Sequence, residues 1–218
     1  MNATYRKVRR RLSRVLGKAP VARHADPVAT HVPILIGIAS GMNVKRVLEL
    51  GSGENSTPTF LDRAAFPELE ELVTLENDEE WAERMAEPIA RDDRATLRLV
   101  SSVSEAVNDM DLERFDVVLL DDSSTLAERE ATIRSVATAD RQATLTVVHD
   151  FEIFEYRYAA RAFRHRVVFD AMTPQTAVCW QDSTVDGGFL KDLRWRITEH
   201  VEDIAPSDRS VWIAALRG

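Results

Sequence analysis

Cysteine is almost absent from this 218-residue sequence, and the single Cys179 excludes an intramolecular disulfide. Cys179 lies in the apolar run "TAVCW", which predicts a buried and inert thiol. No apolar run approaches the roughly 18 residues that span a bilayer; "VPILIGIASGM" is shorter and contains two glycines. No apolar segment follows the basic N-terminus closely enough for a secretory signal. These absences favour a cytoplasmic protein without a membrane span.

Basic residues are concentrated at the N-terminus, although the net charge is -8. The first 18 residues contain seven basic residues and no acid, and Val8, Leu12, Val15 and Leu16 fit one face of a short amphipathic helix. Such an arm can bind nucleic acid or an anionic membrane surface. The favoured interpretation is a helix docked on the chain's own acidic domain or on a partner subunit, which leaves a homo-oligomer open.

Strand-like and helix-like segments alternate along the chain without a repeat or a Pro/Gly-rich linker. This alternation predicts an α/β fold with a doubly wound, mostly parallel sheet and an antiparallel edge hairpin. We expect residues 1–43 to form a basic arm and helical cap, and residues 44–218 to form the main domain. Strands are predicted at 46–50, 71–76, 96–100, 115–121 and 144–150, with the hairpin formed by 165–171 and 176–181. Helices are predicted at 28–42, 58–64, 78–92, 104–109, 125–139 and 154–163. The tail segment "SVWIAAL" resembles a last strand.

The stretch "VLELGSGENSTP" forms the first turn between a strand and a helix. Gly51 and Gly53 allow a tight turn and a close approach of the backbone to a ligand. Asn55 stands where a third glycine is common and tolerates left-handed geometry. Thr57 and Pro58 suit a helix N-cap and first helical position. The loop therefore delivers a ligand to the start of a helix.

Two acids narrow the choice of ligand. Glu76 ends the second strand, where a carboxylate can accept hydrogen bonds from both hydroxyls of a ribose. Glu49 precedes the glycines, where a pyrophosphate gains nothing from a negative charge. A ligand with an ammonium and a sulfonium group does gain from it, and S-adenosylmethionine is such a ligand.

The segments "VLELGSGENST", "VTLENDEEW", "LRLVSSVSEAV" and "FDVVLLDDSST" resemble, in order and spacing, the motifs of class I S-adenosylmethionine-dependent methyltransferases over roughly residues 44 to 150. The resemblance implies a Rossmann-like fold and several ligand contacts. The residues that it places around the methionine part are Glu49, Gly51, Ser52 and Gly53. It assigns Glu76 to the ribose, Asn77 to the adenine, and Asp121 or Asp122 to the methyl group and acceptor. Ser101 and Ser102 stand where many members carry an acid near the adenine.

Missing motifs restrict the methyl acceptor. The Asn/Asp-Pro-Pro-aromatic motif of amino-methylating DNA enzymes is absent, and "LDDSST" stands in its place. Cys179 is wrongly placed for the nucleophile of cytosine C5 methylation. Nucleic acid is therefore not favoured, and we expect transfer to an oxygen of a small-molecule or glycan-like acceptor.

The acceptor's proton needs a base or a metal. Metal-dependent relatives that resemble catechol O-methyltransferase hold magnesium with an Asp after strand four and an Asp-Asn after strand five. Asp121, Asp122 and Asp150 match part of that set, but Phe151 replaces the Asn, so magnesium is not favoured. His149 is then the best general base, since its ordinary pKa lies near neutrality.

Other residues and other functions remain open. His31 is expected to be structural or a contact on the substrate side, and Trp81 and Trp180 are expected in the core. The alternatives to methyl transfer are aminopropyl transfer from decarboxylated S-adenosylmethionine, a dinucleotide-dependent oxidoreductase, and a non-catalytic module that binds nucleic acid or a partner through the basic arm.

Overall fold

A seven-stranded sheet forms the centre of the computed structural model, which describes residues 27–122, 125–139, 144–182 and 185–217. The basic arm and its predicted helix lie outside the described residues. The strands follow the order β3-β2-β1-β4-β5-β7-β6 across the sheet. Their bounds are β1 Arg46–Leu50, β2 Glu71–Glu76, β3 Ala95–Leu99, β4 Val117–Leu120, β5 Leu145–Val148, β6 His165–Phe169 and β7 Thr176–Trp180.

The pairing directions confirm the predicted fold class. Strands β1 to β5 pair in parallel, β7 pairs antiparallel with β5, and β6 pairs antiparallel with β7. The strand order reverses at β1, which has β2 on one side and β4 on the other. In a doubly wound sheet such a reversal opens a crevice at the carboxyl ends of the two strands, where ligands bind.

Helices cover both faces of the sheet. Their bounds are α1 Val32–Gly41, α2 Ser56–Leu61, α3 Glu79–Ala90, α4 Val103–Asn108, α5 Leu126–Ala139, α6 Phe154–Ala159, α7 Gly187–His200 and α8 Arg209–Arg217. One core includes residues of α1, α2, α7 and α8, and the other includes residues of α4, α5 and α6. In the central strands, neighbouring residues enter opposite cores, with Val117 in the first and Val118 in the second. This explains the continuous apolar strands. No helix among the described residues is both long and apolar enough to cross a membrane.

Two predicted helix starts are shifted in the structure. Helix α2 begins at Ser56 after Asn55, so Thr57 is not its N-cap and Pro58 is not its first residue. The Thr57 hydroxyl instead donates to the buried carboxylate of Glu49, a partner that the local sequence does not reveal. The helix predicted from residue 28 begins at Val32, after a short 3-10 turn.

The predicted last strand is wrong, because "SVWIAAL" belongs to helix α8. Trp212 and Leu216 are four residues apart, lie on the same side of the helix, and are buried in the core that also contains α1. The apolar residues of this segment fit the periodicity of a strand as well as that of a helix. Packing against α1 decides in favour of the helix. Cys179 is buried as predicted, and burial raises its pKa to about 12.

Helix α1 packs closely on α7 at Gly37. A Cβ atom at Gly37 would lie 2.1 Å from Leu193 Cδ1, and Leu193 is itself buried. Alanine at this position would gain about 1 kcal/mol of helix propensity. Overpacking a filled core costs about 1–3 kcal/mol, so the clash outweighs the gain.

We therefore expect Gly37→Ala to lower the free energy of unfolding by up to about 2 kcal/mol. The measurement is urea unfolding followed by far-ultraviolet circular dichroism. Ser40→Ala in the same helix is the control, since Ser40 is only partly buried and should change stability by less than about 0.5 kcal/mol. An increase in stability for Gly37→Ala would contradict the close packing of α1 on α7.

Candidate active site

A cavity of about 390 Å³ opens at the carboxyl ends of β1, β2 and β4. Its walls come from the loop after β1, the end of β2, the start of α3, the end of β4 and the chain before α1. The lining residues are Val28, His31, Gly51, Ser52, Gly53, Glu54, Asn55, Ser56, Glu76, Asn77, Asp78, Trp81, Asp121 and Glu128. The volume suits a small-molecule ligand.

Gly51 makes the cavity geometrically feasible. Its φ is +87°, and a Cβ there would lie 2.4 Å from the Asp121 carbonyl oxygen. Both features require glycine. The Gly51 N–H donates to the Leu75 carbonyl at 2.8 Å, so the loop is also fixed to β2. Gly53 has an ordinary φ, but its Cβ would lie 2.5 Å from Ser56 Oγ.

Glu49 supports the loop from beneath and does not line the cavity. The side chain is fully buried, and its carboxylate accepts hydrogen bonds from the hydroxyls of Thr57 and Thr74, each at 2.8 Å. Thr57 Oγ1 in turn accepts from the Gly53 N–H at 3.1 Å. Burial raises the pKa of Glu49 to about 7, although the hydroxyl donors lower it. The expected direct contact with a ligand ammonium is therefore corrected to a contact with the loop.

Glu76 reaches the cavity with both carboxylate oxygens already held. Oε2 accepts from the Ser52 N–H at 2.8 Å and from the Ser52 hydroxyl at 2.9 Å. Oε1 accepts from the backbone N–H groups of Asn77 and Asp78. Four donors fix the position of this carboxylate at the end of β2. The Ser52 hydroxyl can rotate away, which leaves a lone pair of Oε2 for a ligand hydroxyl.

Trp81 is a site residue that the sequence interpretation assigned to the core. It is only partly buried, lines the cavity, and donates its indole N–H to the Ser52 carbonyl. Asp78 caps α3 by accepting from the Trp81 backbone N–H at 2.9 Å, which places the indole beside Asn77. The position of Trp81 in the first helical turn after β2 is a sequence signal that could have placed it at the cavity. Trp180, in contrast, lies in the core as expected.

Ser101 and Ser102 lie outside the cavity lining. Ser101 is exposed, and the Ser102 side chain caps α4 by accepting from the Glu105 N–H. Asn77 lines the cavity next to Glu76. Next to Glu76 the cavity is lined by Asn77, Asp78 and Trp81 and not by the two serines, and the predicted adenine contacts stay predictions.

Asp121 forms the opposite wall within a network of buried charges. Its Oδ1 lies 3.0 Å from Arg129 Nη1 and 3.3 Å from His149 Nδ1. Burial alone would raise the pKa of Asp121, but the neighbouring His149 and Arg129 lower it to about 2. Arg129 Nη1 also lies 2.9 Å from Oδ2 of Asp150, which has a φ of +54°. The guanidinium bridges the two aspartates; the sequence interpretation missed it.

The three aspartates proposed as magnesium ligands do not converge on one point. Asp122 is buried, and its Oδ2 accepts from the Thr132 hydroxyl at 2.7 Å. Burial raises the pKa of Asp122 to about 6. Neither Asp122 nor Asp150 lines the cavity, and Arg129 lies between Asp150 and Asp121.

His149, the predicted base, is buried and does not line the cavity. Nε2 lies 3.1 Å from the Thr30 hydroxyl, and Nδ1 faces Asp121. Burial would lower the pKa of His149, but the carboxylates of Asp121 and Asp150 raise it. Both ring nitrogens face partners within the protein and His149 does not line the cavity, so its role as the general base stays a prediction.

His31 lies on the cavity wall where a contact on the substrate side was expected. Its ring meets the ring of His149 edge to face, with centroids 4.8 Å apart. Neither ring nitrogen has a hydrogen-bond partner among the described residues, although the side chain is buried. Burial and then the charge of His149 lower the pKa of His31 to about 3, so its ring is neutral.

Comparison with known proteins supports the fold rather than an individual activity. No family model matches the chain, and no curated protein matches its sequence. Among solved structures, human methyltransferase-like protein 13 in complex with SAH is similar at a TM-score of 0.53 and 13% identity, covering 89% of this chain and 92% of that one. Spermidine synthase from Thermotoga maritima is similar at a TM-score of 0.55 and 15% identity, covering 87% of this chain and 71% of that one. Cofactor-bound Rv0187 from MTB is similar at a TM-score of 0.53 and 17% identity, covering 70% of this chain and 80% of that one. The chain has the Rossmann-like methyltransferase fold.

The raised pKa of Glu49 predicts a pH-dependent stability difference. The folded state retains a proton up to about pH 7, whereas the ordinary value is 4.5. The unfolded chain releases that proton first, so this group's contribution to stability falls as pH rises from 4.5 towards 7. Glu49→Gln mimics the protonated form. We expect the variant and the parent to be similar at acidic pH, and the variant to be more stable above neutrality by about 1–3 kcal/mol.

Thermal unfolding of both proteins across this pH range measures the difference. Glu80→Gln is the control, because Glu80 is exposed in the first turn of α3. A difference between Glu49→Gln and the parent that stays constant with pH would show that Glu49 has an ordinary pKa in the folded state.

Proposed function

We propose that this protein transfers a methyl group from S-adenosylmethionine to an oxygen of a small-molecule or glycan-like acceptor. The observation that carries the proposal is the cavity wall, on which the fixed carboxylate of Glu76 and the ionised carboxylate of Asp121 lie on either side of the Gly51–Gly53 loop. The first suits a ribose diol, and the second suits a cationic reacting centre.

The residues present fit S-adenosylmethionine along its length. Glu76 can accept from a ribose hydroxyl once Ser52 Oγ turns away. Trp81 and Asn77 offer a flat ring and an amide to an adenine. Gly53 and its neighbours in the loop leave room for the methionine part. All five ionisable carboxyl residues of the lining add negative potential around a sulfonium, and these are Glu54, Glu76, Asp78, Asp121 and Glu128.

The cofactor supplies a methyl group bonded to a positively charged sulfur. When bound, it would supply this methyl group to the acceptor oxygen and would leave as a neutral thioether that keeps the electron pair of the broken C–S bond. The acceptor's proton must leave in the same process. The protein's task is to align the oxygen with the methyl group and to receive that proton.

The two cavity groups nearest to that task are weak bases. Asp121 has a pKa of about 2 and His31 of about 3, so each favours release of a proton to solvent over its retention. Proton transfer to such a base is easiest from an acidic donor. Of the two proposed kinds of acceptor, this favours a small molecule with an acidic hydroxyl, such as a phenol or an enol, over a glycan hydroxyl.

Aminopropyl transfer is the second candidate. Among the described residues of the lining, no Lys or Arg is present to pair with the carboxylate of S-adenosylmethionine. Decarboxylated S-adenosylmethionine lacks that group, and a spermidine synthase is among the structures similar in fold. A dinucleotide is a poorer fit, since its pyrophosphate would meet carboxylates such as Glu54, Asp78 and Asp121. Binding through the basic arm, and any homo-oligomer, stay predictions.

Isothermal titration calorimetry separates these candidates. We expect binding of S-adenosylmethionine and S-adenosylhomocysteine and no heat with NAD, because the cavity is acidic and suits a sulfonium. Tighter binding of decarboxylated S-adenosylmethionine than of the carboxylated form would favour aminopropyl transfer. Binding of NAD alone would overturn both.

Glu76→Ala should weaken S-adenosylmethionine binding by about 1–3 kcal/mol, the cost of leaving a buried ribose hydroxyl without its acceptor. The same calorimetry measures the loss. Glu80→Ala, an exposed position one helical turn away from the strand end, should bind like the parent protein. Equal affinity for Glu76→Ala and the parent would remove Glu76 from the ribose site.

A further inference from the structure

His31, Asp121 and His149 meet at the inner wall of the cavity. Each offers one ligand atom, and the three atoms lie within 4.8 Å of one another. His31 precedes α1, while Asp121 and His149 follow the neighbouring strands β4 and β5. We propose that these three side chains bind a divalent transition-metal ion of the Zn²⁺ and Co²⁺ class, with a free coordination position toward the cavity.

The hydrogen bonds of His149 leave room for a proton or a metal ion between its Nδ1 and Asp121. The Thr30 hydroxyl has one hydrogen, which it donates to the Pro174 carbonyl at 2.8 Å. Towards His149 it can only accept, so His149 Nε2 carries a hydrogen. In the neutral ring, Nδ1 then presents a lone pair to the Asp121 carboxylate. Two lone pairs repel each other unless a proton or a metal ion lies between them.

The distance between these two atoms matches a shared metal ion. Nδ1 of His149 and Oδ1 of Asp121 are 3.3 Å apart. A hydrogen bond between an imidazolium and a carboxylate is shorter, about 2.7–2.9 Å. Two ligands bonded at about 2.0–2.1 Å to a tetrahedral ion are separated by about 3.3–3.4 Å. The spacing therefore suits two corners of a tetrahedral site.

His31 supplies the third ligand atom. Its two ring nitrogens have no hydrogen-bond partner among the described residues, which is costly for a buried polar ring. A metal bond would satisfy one of them. The ligand nitrogen of His31 now lies at most 4.8 Å from the other two ligand atoms, and metal binding requires about 3.4 Å. This movement breaks no hydrogen bond of the His31 ring.

The ligand types select the metal. Two imidazole nitrogens and one carboxylate suit Zn²⁺, Co²⁺ or Fe²⁺, whereas Mg²⁺ prefers a set of oxygens. Arg129 competes for Asp121 Oδ1, but it keeps a second carboxylate partner in Asp150 at 2.9 Å. This site therefore differs from the set of three aspartates considered for magnesium.

A consequence for catalysis rests on the proposed methyl transfer, whereas the metal binding itself does not. A bound ion would lower the pKa of a hydroxyl that coordinates to it. Asp121 and His31 would then act as its ligands and no longer as bases, and the range of acceptors would extend to less acidic alcohols.

The test is a titration of the full-length, chelator-treated protein with CoCl₂, without any turnover. We expect one equivalent to bind with the visible bands of tetrahedral cobalt, to be displaced by ZnCl₂, and to be unaffected by MgCl₂. His31→Ala should lose affinity for cobalt by about 10–100-fold or more. His165→Ala is the control and should bind cobalt like the parent. His165 begins the edge strand β6 and lies at the end of the strands opposite to the cavity.

Circular dichroism without metal checks that each variant folds. If His31→Ala does not fold, Asp121→Asn replaces it, since the Asp121 side chain is already 26% exposed. Absence of the tetrahedral bands in the parent, or equal cobalt affinity in the parent and the folded ligand variant, would overturn the site and leave a proton between His149 and Asp121. Binding of S-adenosylmethionine is measured separately, so failure of the metal site and failure of the proposed function are distinguishable.

Discussion

The close contact between the Gly51 backbone and the end of β4 is the constraint on which the cleft depends. The Asp121 N–H donates to Leu50 at 2.9 Å, while the Gly51 N–H donates in the other direction, to β2. The chain thus leaves β1 while it is still bonded on both sides. A Cβ at position 51 would collide with the Asp121 carbonyl and displace the carboxylate that faces the cavity. The Gly51 loop, the end of β4 and the Asp121 carboxylate are therefore held together as one structural unit.

Around this unit, the surroundings decide which buried carboxyl groups stay ionised. Asp121 lies beside Arg129 and His149, and these two side chains hold its pKa at about 2. Glu49 and Asp122 receive mainly hydroxyl donors, and burial raises their pKa values to about 7 and about 6. Acids that are neighbours in the fold therefore lose their protons over different ranges of pH. The permanent negative charge lies on the cavity side, where a cationic ligand is expected.

The predicted strands and most helices agree with the structure because their patterns are local. Apolar runs covered on both faces, turn glycines and an acid at a strand end are each visible in a few consecutive residues. Glu76 and Gly51 were predicted to contact the cofactor on that basis; both line the cavity, and the contacts themselves stay predictions. Exceptions arise where distant packing decides between periodicities. The segment around Trp212 is a helix because it covers α1, and no short-range signal contains that information.

The amino-acid sequence alone defined the order of strands and helices along the chain and the edge of the sheet that bears the cleft. It also defined which acids lie near the cleft. Only the tertiary structure decided which atoms face the ligand. Glu49 turns under the loop towards Thr74, 25 residues away, and His149 turns towards Thr30, 119 residues away. His31 is brought to the cavity from before the first strand. A side chain at a strand end takes its direction from hydrogen-bond partners and charges on other elements, and these become neighbours only when the chain has folded.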